Sequence, residues 1–259
     1  MQFTNPLKEK LKRNEFNFGG WIQIGHPSIA EMMADAGFEW LCIDTEHGAI
    51  DLETCVGMMQ AMRGTACVPL VRLPMNNPLW IRRVLDAGAA GIIVPLVNSA
   101  EEAALAVQYA KYPPMGIRGI GIARAHGYGP AFRDYVEQAN DYTIVIAQIE
   151  HIRAVENIEA ILDTEGIDGV FVGPYDLTGS MGLLGQLSHP KVVEALEHVV
   201  AVCRTRNKPA GTHVVAVDPD EIPLRRKQGF TMIALSLDGL MLLAGCKKMI
   251  EAARSAKTA

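Results

Sequence analysis

Short apolar runs rich in Val and Ile alternate with longer amphipathic stretches along the chain. This alternation limits the number of folds that the chain can adopt. Such runs are typical of strands in a parallel sheet that is covered by helices. Eight strands are predicted, and they span Gly20–Gly25, Trp40–Asp44, Val68–Leu73, Gly91–Leu96, Thr143–Ile149, Gly169–Gly173, Pro209–His213 and Met232–Leu237. The predicted helices span Ile29–Ala36, Leu52–Met62, Pro78–Ala87, Ala100–Lys111, Arg153–Asp163, Lys191–Arg206, Asp220–Gln228 and Leu240–Ala253.

Eight strands, each followed by a helix, favour a closed barrel over an open doubly wound sheet because the count closes the sheet on itself. The length of 259 residues and the hydrophobic fraction of 49% suit the large core of one such barrel. We therefore predict an α/β fold, a (β/α)₈ TIM barrel, as a single domain over residues 1–259.

Charge and composition limit the partners. The net charge of −5 provides no basic surface for phosphates, so nucleic acid is not an expected partner. No stretch is apolar enough for a membrane span or a secretory signal, so we expect a cytoplasmic protein without a membrane partner. The cysteines form no Cys-x-x-Cys pair and are predicted to be buried free thiols: Cys42, Cys55, Cys67, Cys203 and Cys246. Small soluble molecules remain the expected substrates.

One connection is too long for a plain turn. The stretch Tyr112–Asn140 separates two predicted strands by a length that is usually functional or interfacial. We expect it to be an active-site lid or a subunit contact. The pair Gly119 and Gly121 within it does not make a dinucleotide fingerprint, because the third glycine and the following acidic residue are missing.

Polar side chains collect at the ends of four predicted strands. In barrel enzymes the reacting groups lie at the carboxyl ends of the strands, which share one face of the barrel. A requirement for stability alone does not predict carboxylates, an arginine and a histidine there. The residues at these ends are Asp44, Thr45, Glu46 and His47, then Arg72, then Gln148 and Glu150, and finally Gly173, Pro174, Tyr175 and Asp176.

Glu150 and Asp176 come from adjacent strands and offer hard oxygen ligands. Two carboxylates can hold one divalent cation and leave coordination positions for water and substrate, as is usual for Mg²⁺ or Mn²⁺. The alternatives are structural, since Asp176 could begin the turn into Leu177–Gly179 and Glu150 could pair with Arg153.

Two further groups suit substrate binding and proton transfer. The planar guanidinium of Arg72 matches a carboxylate, although it could simply pair with Asp44 or Glu46. His47 is a candidate proton carrier that neighbouring acids could orient. His26 and His213 follow strands one and seven and could contact substrate; His126 lies in the long connection, and His151, His189 and His198 are expected on the surface or in helices.

At these residues the chain resembles the class II pyruvate-dependent aldolases that include 4-hydroxy-2-oxo-heptane-1,7-dioate aldolase and 2-dehydro-3-deoxyglucarate aldolase. The resemblance runs from about Gly20 to the C-terminus. The matching segments are WLCIDTEHG at Trp40–Gly48, PLVRLP at Pro69–Pro74, LDAGAAGIIVPLV at Leu85–Val97, GIRGIG at Gly116–Gly121, AQIE at Ala147–Glu150 and DGVFVGPYDL at Asp168–Leu177.

The resemblance implies a role for each residue. Glu150 and Asp176 would hold a divalent metal ion (Mg²⁺, Mn²⁺ or Co²⁺), and pyruvate would chelate it. Arg72 would hold the keto oxygen as the enolate forms, and Gln148 with the backbone of Gly173 and Pro174–Asp176 would line the pyruvate pocket. His47, helped by Asp44, would act as base through a water on the metal. The substrates would be a small-molecule 2-oxoacid and an aldehyde.

The resemblance also implies an assembly. Asp86 matches an acid that reaches the active site of a neighbouring subunit, and the resembled proteins are homo-oligomers, hexamers or trimers, with the last helix exchanged between protomers. This chain departs from their pattern at Tyr175, where a small residue is usual, and in Gly211–Val217, which contains His213. Both departures touch the pocket and bear on which aldehyde is used.

The aldolase function has three rivals. A metal-dependent decarboxylase acting on oxaloacetate would form the same enolate; a citrate lyase β type enzyme and a metabolite-binding protein without turnover are more distant. A Schiff-base aldolase would need a lysine at the carboxyl end of a strand, and no lysine falls there, since Lys208 precedes strand seven. Asp238 before the last helix would repel a phosphate, which favours unphosphorylated substrates.

Overall fold

The computed structural model describes residues 2–256 and contains a closed barrel of eight parallel strands paired in chain order. The strands are β1 (Asn17–Ile22), β2 (Trp40–Asp44), β3 (Val68–Arg72), β4 (Gly91–Val94), β5 (Ile144–Ile149), β6 (Gly169–Val172), β7 (Ala210–Val214) and β8 (Met232–Leu237). The predicted (β/α)₈ barrel is confirmed. Strands β2 and β8 have the predicted bounds.

Twelve helices accompany these strands within the described residues. They are α1 (Pro6–Lys12), α2 (Pro27–Asp35), α3 (Leu52–Ala61), α4 (Pro78–Ala87), α5 (Ala100–Ala110), α6 (Phe132–Tyr142), α7 (Ile152–Glu156), α8 (Ile158–Asp163), α9 (Pro174–Ser180), α10 (Pro190–Thr205), α11 (Glu221–Gln228) and α12 (Asp238–Ser255). The predicted helix Arg153–Asp163 is divided into α7 and α8 at Asn157. No helix of residues 2–256 is long and apolar enough to cross a membrane.

Two apolar layers build the barrel. An inner cluster fills the space between the strands with side chains such as Trp40, Leu70 and Phe171, so the barrel is packed and has no pore. Helix α1 closes the end of the barrel at the amino ends of the strands, where Leu7 and Leu11 join this cluster. A larger outer cluster lies between the strands and the surrounding helices. These layers leave the opposite end, at the carboxyl ends of the strands, free to carry polar groups.

The long connection Tyr112–Asn140 lies away from that polar end. It contains a short 3₁₀ turn (Arg124–His126) and leads into α6. Arg124 donates to the carbonyl oxygens of Ala87, at the end of α4, and of Met59. Because the barrel helices run antiparallel to the strands, their carboxyl ends lie at the amino ends of the strands. The lid alternative is therefore wrong for this chain's own site.

Four of the five cysteines are buried free thiols, as predicted, but Cys246 is exposed on α12. Burial raises the pKa of Cys55, Cys67 and Cys203 to about 12. These thiols stay protonated at neutral pH and act as apolar core groups.

Candidate active site

A cavity of about 360 Å³ opens at the carboxyl ends of the strands. Its lining combines aromatic walls with polar groups that converge from several strands, the arrangement expected of a ligand site. The structure brings most of the predicted site residues together here. The lining includes Asp44, His47, Arg72, Gln148 and the segment Gly173, Pro174, Tyr175 and Asp176, together with Trp21, Gln23 and His213.

Asp44 and Arg72 form the centre of the polar wall. Strands β2 and β3 pair in register at these two residues, so their side chains lie side by side. Arg72 Nε donates to Asp44 Oδ1 at 2.9 Å, and Nη2 donates to Oδ2 at 2.6 Å. Burial acts to raise the pKa of Asp44, but the hydrogen bonds and charge of Arg72 outweigh it and lower that pKa. The pair is a fixed, fully charged fork.

The rest of the Arg72 guanidinium is held on two other sides. Its Cζ lies 4.5 Å from the ring centroid of Trp21, and its Nη1 lies 3.2 Å from Glu46 Oε2. Burial raises the pKa of Glu46 even though Arg72 opposes that change. Arg72 therefore pairs with both Asp44 and Glu46, which were its possible structural partners in the sequence. It also lines the cavity.

Glu150 lies at the end of β5, and the backbone and Gln148 hold both of its oxygens. The backbone N–H of Leu96 donates to Oε1 at 2.7 Å, and Gln148 Nε2 donates to Oε2. Burial raises the pKa of Glu150; these two hydrogen bonds oppose the rise, and the charge of Asp176 adds to it. Glu150 makes no ion pair with Arg153, so the structural alternative for Glu150 is wrong.

Asp176 lies in the first turn of α9, which begins directly after β6. This turn brings the backbone of Gly173 and the side chains of Tyr175 and Asp176 to the edge of the cavity. Tyr175 is 48% exposed there. Asp176 does lie in the first turn of a helix, as the structural alternative predicted. It also lines the cavity.

Gly173 leaves space beside the Glu150 carboxylate. A Cβ at this position would lie 3.0 Å from Glu150 Cβ and 3.2 Å from Oε2. Close by, the side-chain oxygen of Gln148 is buried without a hydrogen-bond partner. A free oxygen, two acids and a missing side chain together fit a divalent cation with water or substrate as further ligands. Among residues 2–256 no cluster of three or more His, Cys, Asp or Glu surrounds this point.

His47 lies on the rim of the cavity and is exposed. Asp44 contacts it through the backbone, since the N–H of His47 donates to Asp44 Oδ1 at 3.2 Å. Asp44 thus holds the loop that carries His47, while its two oxygens are directed at Arg72. An exposed imidazole at the mouth can reach both substrate and solvent.

His213, Trp21 of β1 and Gln23 complete the wall, and of these only His213 was among the residues considered from the sequence. Burial lowers the pKa of His213 to about 4, so its ring is neutral at physiological pH, and its Nε2 is buried without a partner. Trp21 stacks edge-on against Phe171 with ring centroids 5.5 Å apart. Gln23 follows the end of β1. The strand-end rule would have found Gln23 had β1 been placed correctly.

Asp86 lies apart from the cavity of its own chain. It belongs to α4, and Arg118 Nη2 from the long connection donates to its Oδ1 at 2.6 Å. The remaining histidines and lysines also lie elsewhere. His26, His151 and His189 cap helices by accepting a backbone N–H, and His126 is buried in the long connection. Within residues 2–256 no lysine lines the cavity.

Comparison with known proteins agrees with this architecture. The family described as HpcH/HpaI aldolase/citrate lyase matches residues 17–244. The 5-keto-4-deoxy-D-glucarate aldolase of Salmonella arizonae is 38% identical over 252 residues, which are 96% of this chain and 96% of the relative.

Solved structures give the same result. A family protein from Burkholderia cenocepacia has a TM-score of 0.93 at 35% identity and covers 97% of this chain and 100% of its own. The HpcH/HpaI aldolase of Desulfitobacterium hafniense has a TM-score of 0.89 at 32% identity over 96% of both chains. The chain therefore belongs to the HpcH/HpaI aldolase/citrate lyase family and is a carbon–carbon lyase.

Proposed function

We propose that the protein is a divalent-metal-dependent class II aldolase that reversibly cleaves 4-hydroxy-2-oxoacids to pyruvate and an aldehyde. The observation that carries this proposal is the fixed guanidinium of Arg72, which faces the same cavity as Gln148 and Asp176. Glu150 adjoins this cavity through its contacts with Gln148 and Gly173. A guanidinium and two acids that can hold a cation, around one cavity, suit a 2-oxoacid, whose carboxylate and keto oxygens are adjacent acceptors.

Arg72 would bind the keto oxygen and stabilise the charge that develops on it. Cleavage beside the ketone leaves an enolate, and a preorganised donor near that oxygen lowers the barrier because it needs no rearrangement during the reaction. Asp44 prevents the guanidinium from turning away. The backbone of Gly173 and the Pro174–Asp176 turn would line the pyruvate pocket. The side-chain amide of Gln148 would form a hydrogen bond with pyruvate in this pocket.

Glu150 and Asp176 would hold the cation, for which Mg²⁺, Mn²⁺ and Co²⁺ are the candidates. When bound, such an ion supplies a Lewis acid to the 2-oxoacid. The fit rests on the two acids, the free oxygen of Gln148 and the space at Gly173. These two acids leave room for substrate oxygens.

His47 would move the proton. In the cleavage direction it accepts the proton of the 4-hydroxyl group while the bond between C3 and C4 breaks, and the electron pair passes to the pyruvate enolate. The proton then passes from His47 to C3 of the enolate, which gives pyruvate, and C4 leaves as the carbonyl carbon of the aldehyde. Asp86 of a neighbouring subunit, within a hexamer or trimer, is proposed to reach the mouth of this site; in its own chain it is paired with Arg118.

The relatives suggest the class of substrate. We include 5-keto-4-deoxy-D-glucarate, named for the Salmonella arizonae relative, among the candidate substrates. Asp238 supports an unphosphorylated substrate, because its carboxylate accepts the Gly239 N–H at 2.8 Å and so occupies the start of α12, where a phosphate could otherwise bind.

The test is turnover with and without metal. We expect 4-hydroxy-2-oxoacid cleavage to be lost on chelation and restored by Mg²⁺, Mn²⁺ or Co²⁺. Glu150→Ala and Asp176→Ala should each lose most activity while the fold survives, since both residues lie at the rim of the barrel and not in its packed interior. Glu159→Ala, which changes an exposed side chain of α8, is the matched control and should keep full activity.

Two results would contradict the proposal. Full activity of Glu150→Ala without added metal would exclude the metal role. Irreversible inactivation by borohydride with pyruvate, with a mass increment on a lysine, would indicate Schiff-base chemistry. Oxaloacetate decarboxylation without aldol cleavage would support the alternative function, which uses the same enolate.

A further inference from the structure

A continuous chain of hydrogen bonds joins the first residue of α12 to Arg72. Its middle member is Gln23, the residue that follows β1. Gln23 Nε2 donates to Asp44 Oδ2 at 2.8 Å, and the same Oδ2 accepts from Arg72 Nη2 at 2.6 Å. Gln23 thus contacts the acid that orients the guanidinium, from the side opposite to β3.

Asp238 fixes the other end of this chain. Its carboxylate is buried and accepts the backbone N–H of Gln23 at 3.1 Å, that of Ile24 at 2.8 Å and that of Gly239 at 2.8 Å. The first two donors lie just past β1 and the third belongs to α12. Asp238 therefore holds the backbone from which the Gln23 side chain extends.

We propose that Gln23 is a positioning residue for Arg72, and that Asp238 sets its place from the start of α12. The proposal rests on the function proposed above, in which Arg72 binds the keto oxygen of pyruvate. Without the Gln23 amide, the carboxylate of Asp44 can rotate, and the guanidinium that follows it loses its fixed direction.

The remaining contacts of Arg72 do not replace this link. Trp21 packs on one face of the guanidinium and restrains it without directing its N–H groups, and Glu46 meets only Nη1. The backbone donors to Asp44, from Glu46 and His47, bind Oδ1. Within residues 2–256, the side chains that donate a hydrogen bond to Asp44 Oδ2 are those of Arg72 and Gln23.

The experiment measures pyruvate binding by calorimetry with Mg²⁺ and methyl-proton exchange of pyruvate in five variants. Gln23→Met keeps the length of the side chain and removes the donor, and Asp238→Asn weakens the anchor. Gln60→Met makes the same substitution on the exposed surface of α3, outside the site, as a matched control. Arg72→Ala alone and the double variant Gln23→Met with Arg72→Ala test whether Gln23 acts through Arg72.

We expect Gln23→Met to weaken pyruvate binding by about 10- to 100-fold, the range for losing a hydrogen bond to a charged group, with a smaller fall in the exchange rate at saturation. Asp238→Asn should move both values in the same direction, and Gln60→Met should match wild type. In the Arg72→Ala background, Gln23→Met should have no further effect on binding, because the two residues form one unit.

Several outcomes overturn the positioning role. Wild-type binding in folded Gln23→Met does so, as does an equal, additive loss in both backgrounds, which would indicate that Gln23 contacts pyruvate itself or has a general structural effect. If Gln23→Met does not fold, the test rests on Asp238→Asn, and wild-type pyruvate binding by that variant overturns the positioning role. A wild-type protein that neither binds nor exchanges pyruvate would instead overturn the proposed function, so the two failures are distinguishable.

Discussion

Asp44 is a carboxylate with no exposed surface, and it is stable only because five donors surround it. Two come from Arg72, one from the Gln23 side chain, and two from the backbone of Glu46 and His47. A buried charge without partners destabilises the fold, and removing one member of a buried ion pair leaves the other as such a charge. The Asp44–Arg72 pair is therefore both a structural and a binding element.

Substitutions of Arg72 should separate charge from geometry. Arg72→Lys keeps the charge but loses the planar fork, so we expect it to recover little of the activity lost in Arg72→Ala. Both variants should raise the pyruvate KM and lower kcat, because the arginine binds the ketone and also stabilises the enolate. Steady-state kinetics with varied pyruvate measure both constants. Near wild-type kcat in Arg72→Lys would contradict the role of the fork.

The site residues were predictable where an apolar strand ends in a polar residue. That rule found Asp44, Arg72 and Glu150, because each directly continues or ends a buried run. It could not show that Asp44 binds the backbone, and not the ring, of His47, since this depends on how the loop after β2 turns. Gln23 was missed because its strand was placed too far along the chain.

At the scale of elements, the displaced strand has an identifiable cause. The prediction placed β1 at Gly20–Gly25, and the structure has it at Asn17–Ile22. Polar Asn17 looks like a loop residue, but it is buried at the start of the strand, and the Trp40 ring N–H donates to its side chain at 2.9 Å. A tertiary contact thus outweighs the local pattern. Helices α1 and α9, of seven residues each, were missed for a related reason, since short helices gain most of their stability from packing, and α6 was missed within the stretch predicted as a long connection.

Lys111 shows how the long connection is attached to the barrel. Its Nζ is buried and donates to the carbonyl oxygens of Asn140 and Thr143, which lie at the end of α6 and just after it. Lys8 Nζ also donates to the Thr143 oxygen. Burial, with the charge of Lys8, lowers the pKa of Lys111 to about 7 from the ordinary 10.5.

This shift predicts a pH dependence of stability. Between about pH 7 and 10.5 the unfolded chain retains the Lys111 proton that the folded chain has lost, so the free energy of unfolding should rise with pH in this window. Lys111→Met should remove that rise. Urea unfolding of both proteins at several pH values across the window measures it, with Lys191→Met, on α10, as the control. An equal pH slope in wild type and Lys111→Met would contradict the shift.

At the scale of the whole molecule, α12 has an apolar face that the other described residues, 2–256, leave exposed. Asp238 is its buried residue, whereas Leu242, Leu243, Met249 and Ile250 are between 49% and 71% exposed. Clustered exposed apolar residues are typical of interaction surfaces. We expect a second copy of this chain to cover it, through the exchange of the last helix in a hexamer or trimer.

Charged substitutions on α12 should weaken that assembly. Leu243→Glu with Ile250→Glu should shift sedimentation towards smaller species, because a buried unpaired carboxylate is unfavourable at an interface. Activity should fall with the assembly if Asp86 acts across subunits. A wild type that sediments as a monomer at all concentrations would contradict the exchange.

The barrel as a whole was predictable from the count of βα units, because closure depends on the number of strands and tolerates errors in single boundaries. The end of the barrel at which the long connection lies was not predictable, since the spacing of residues in the sequence does not show at which end an insertion packs. Arg124 and Lys111 decide it through contacts with distant carbonyl groups.

Formation of the pyruvate enolate is the central claim, and exchange of the pyruvate methyl protons with deuterated solvent measures it without any aldehyde. We expect wild type to exchange them only with a divalent cation, and His47→Ala to exchange about 10²- to 10⁴-fold more slowly with pyruvate binding nearly intact, as for loss of a general base. Exchange by His47→Ala at the wild-type rate would assign the base to another group, such as His213. Absence of exchange in wild type that binds both metal and pyruvate would contradict the account.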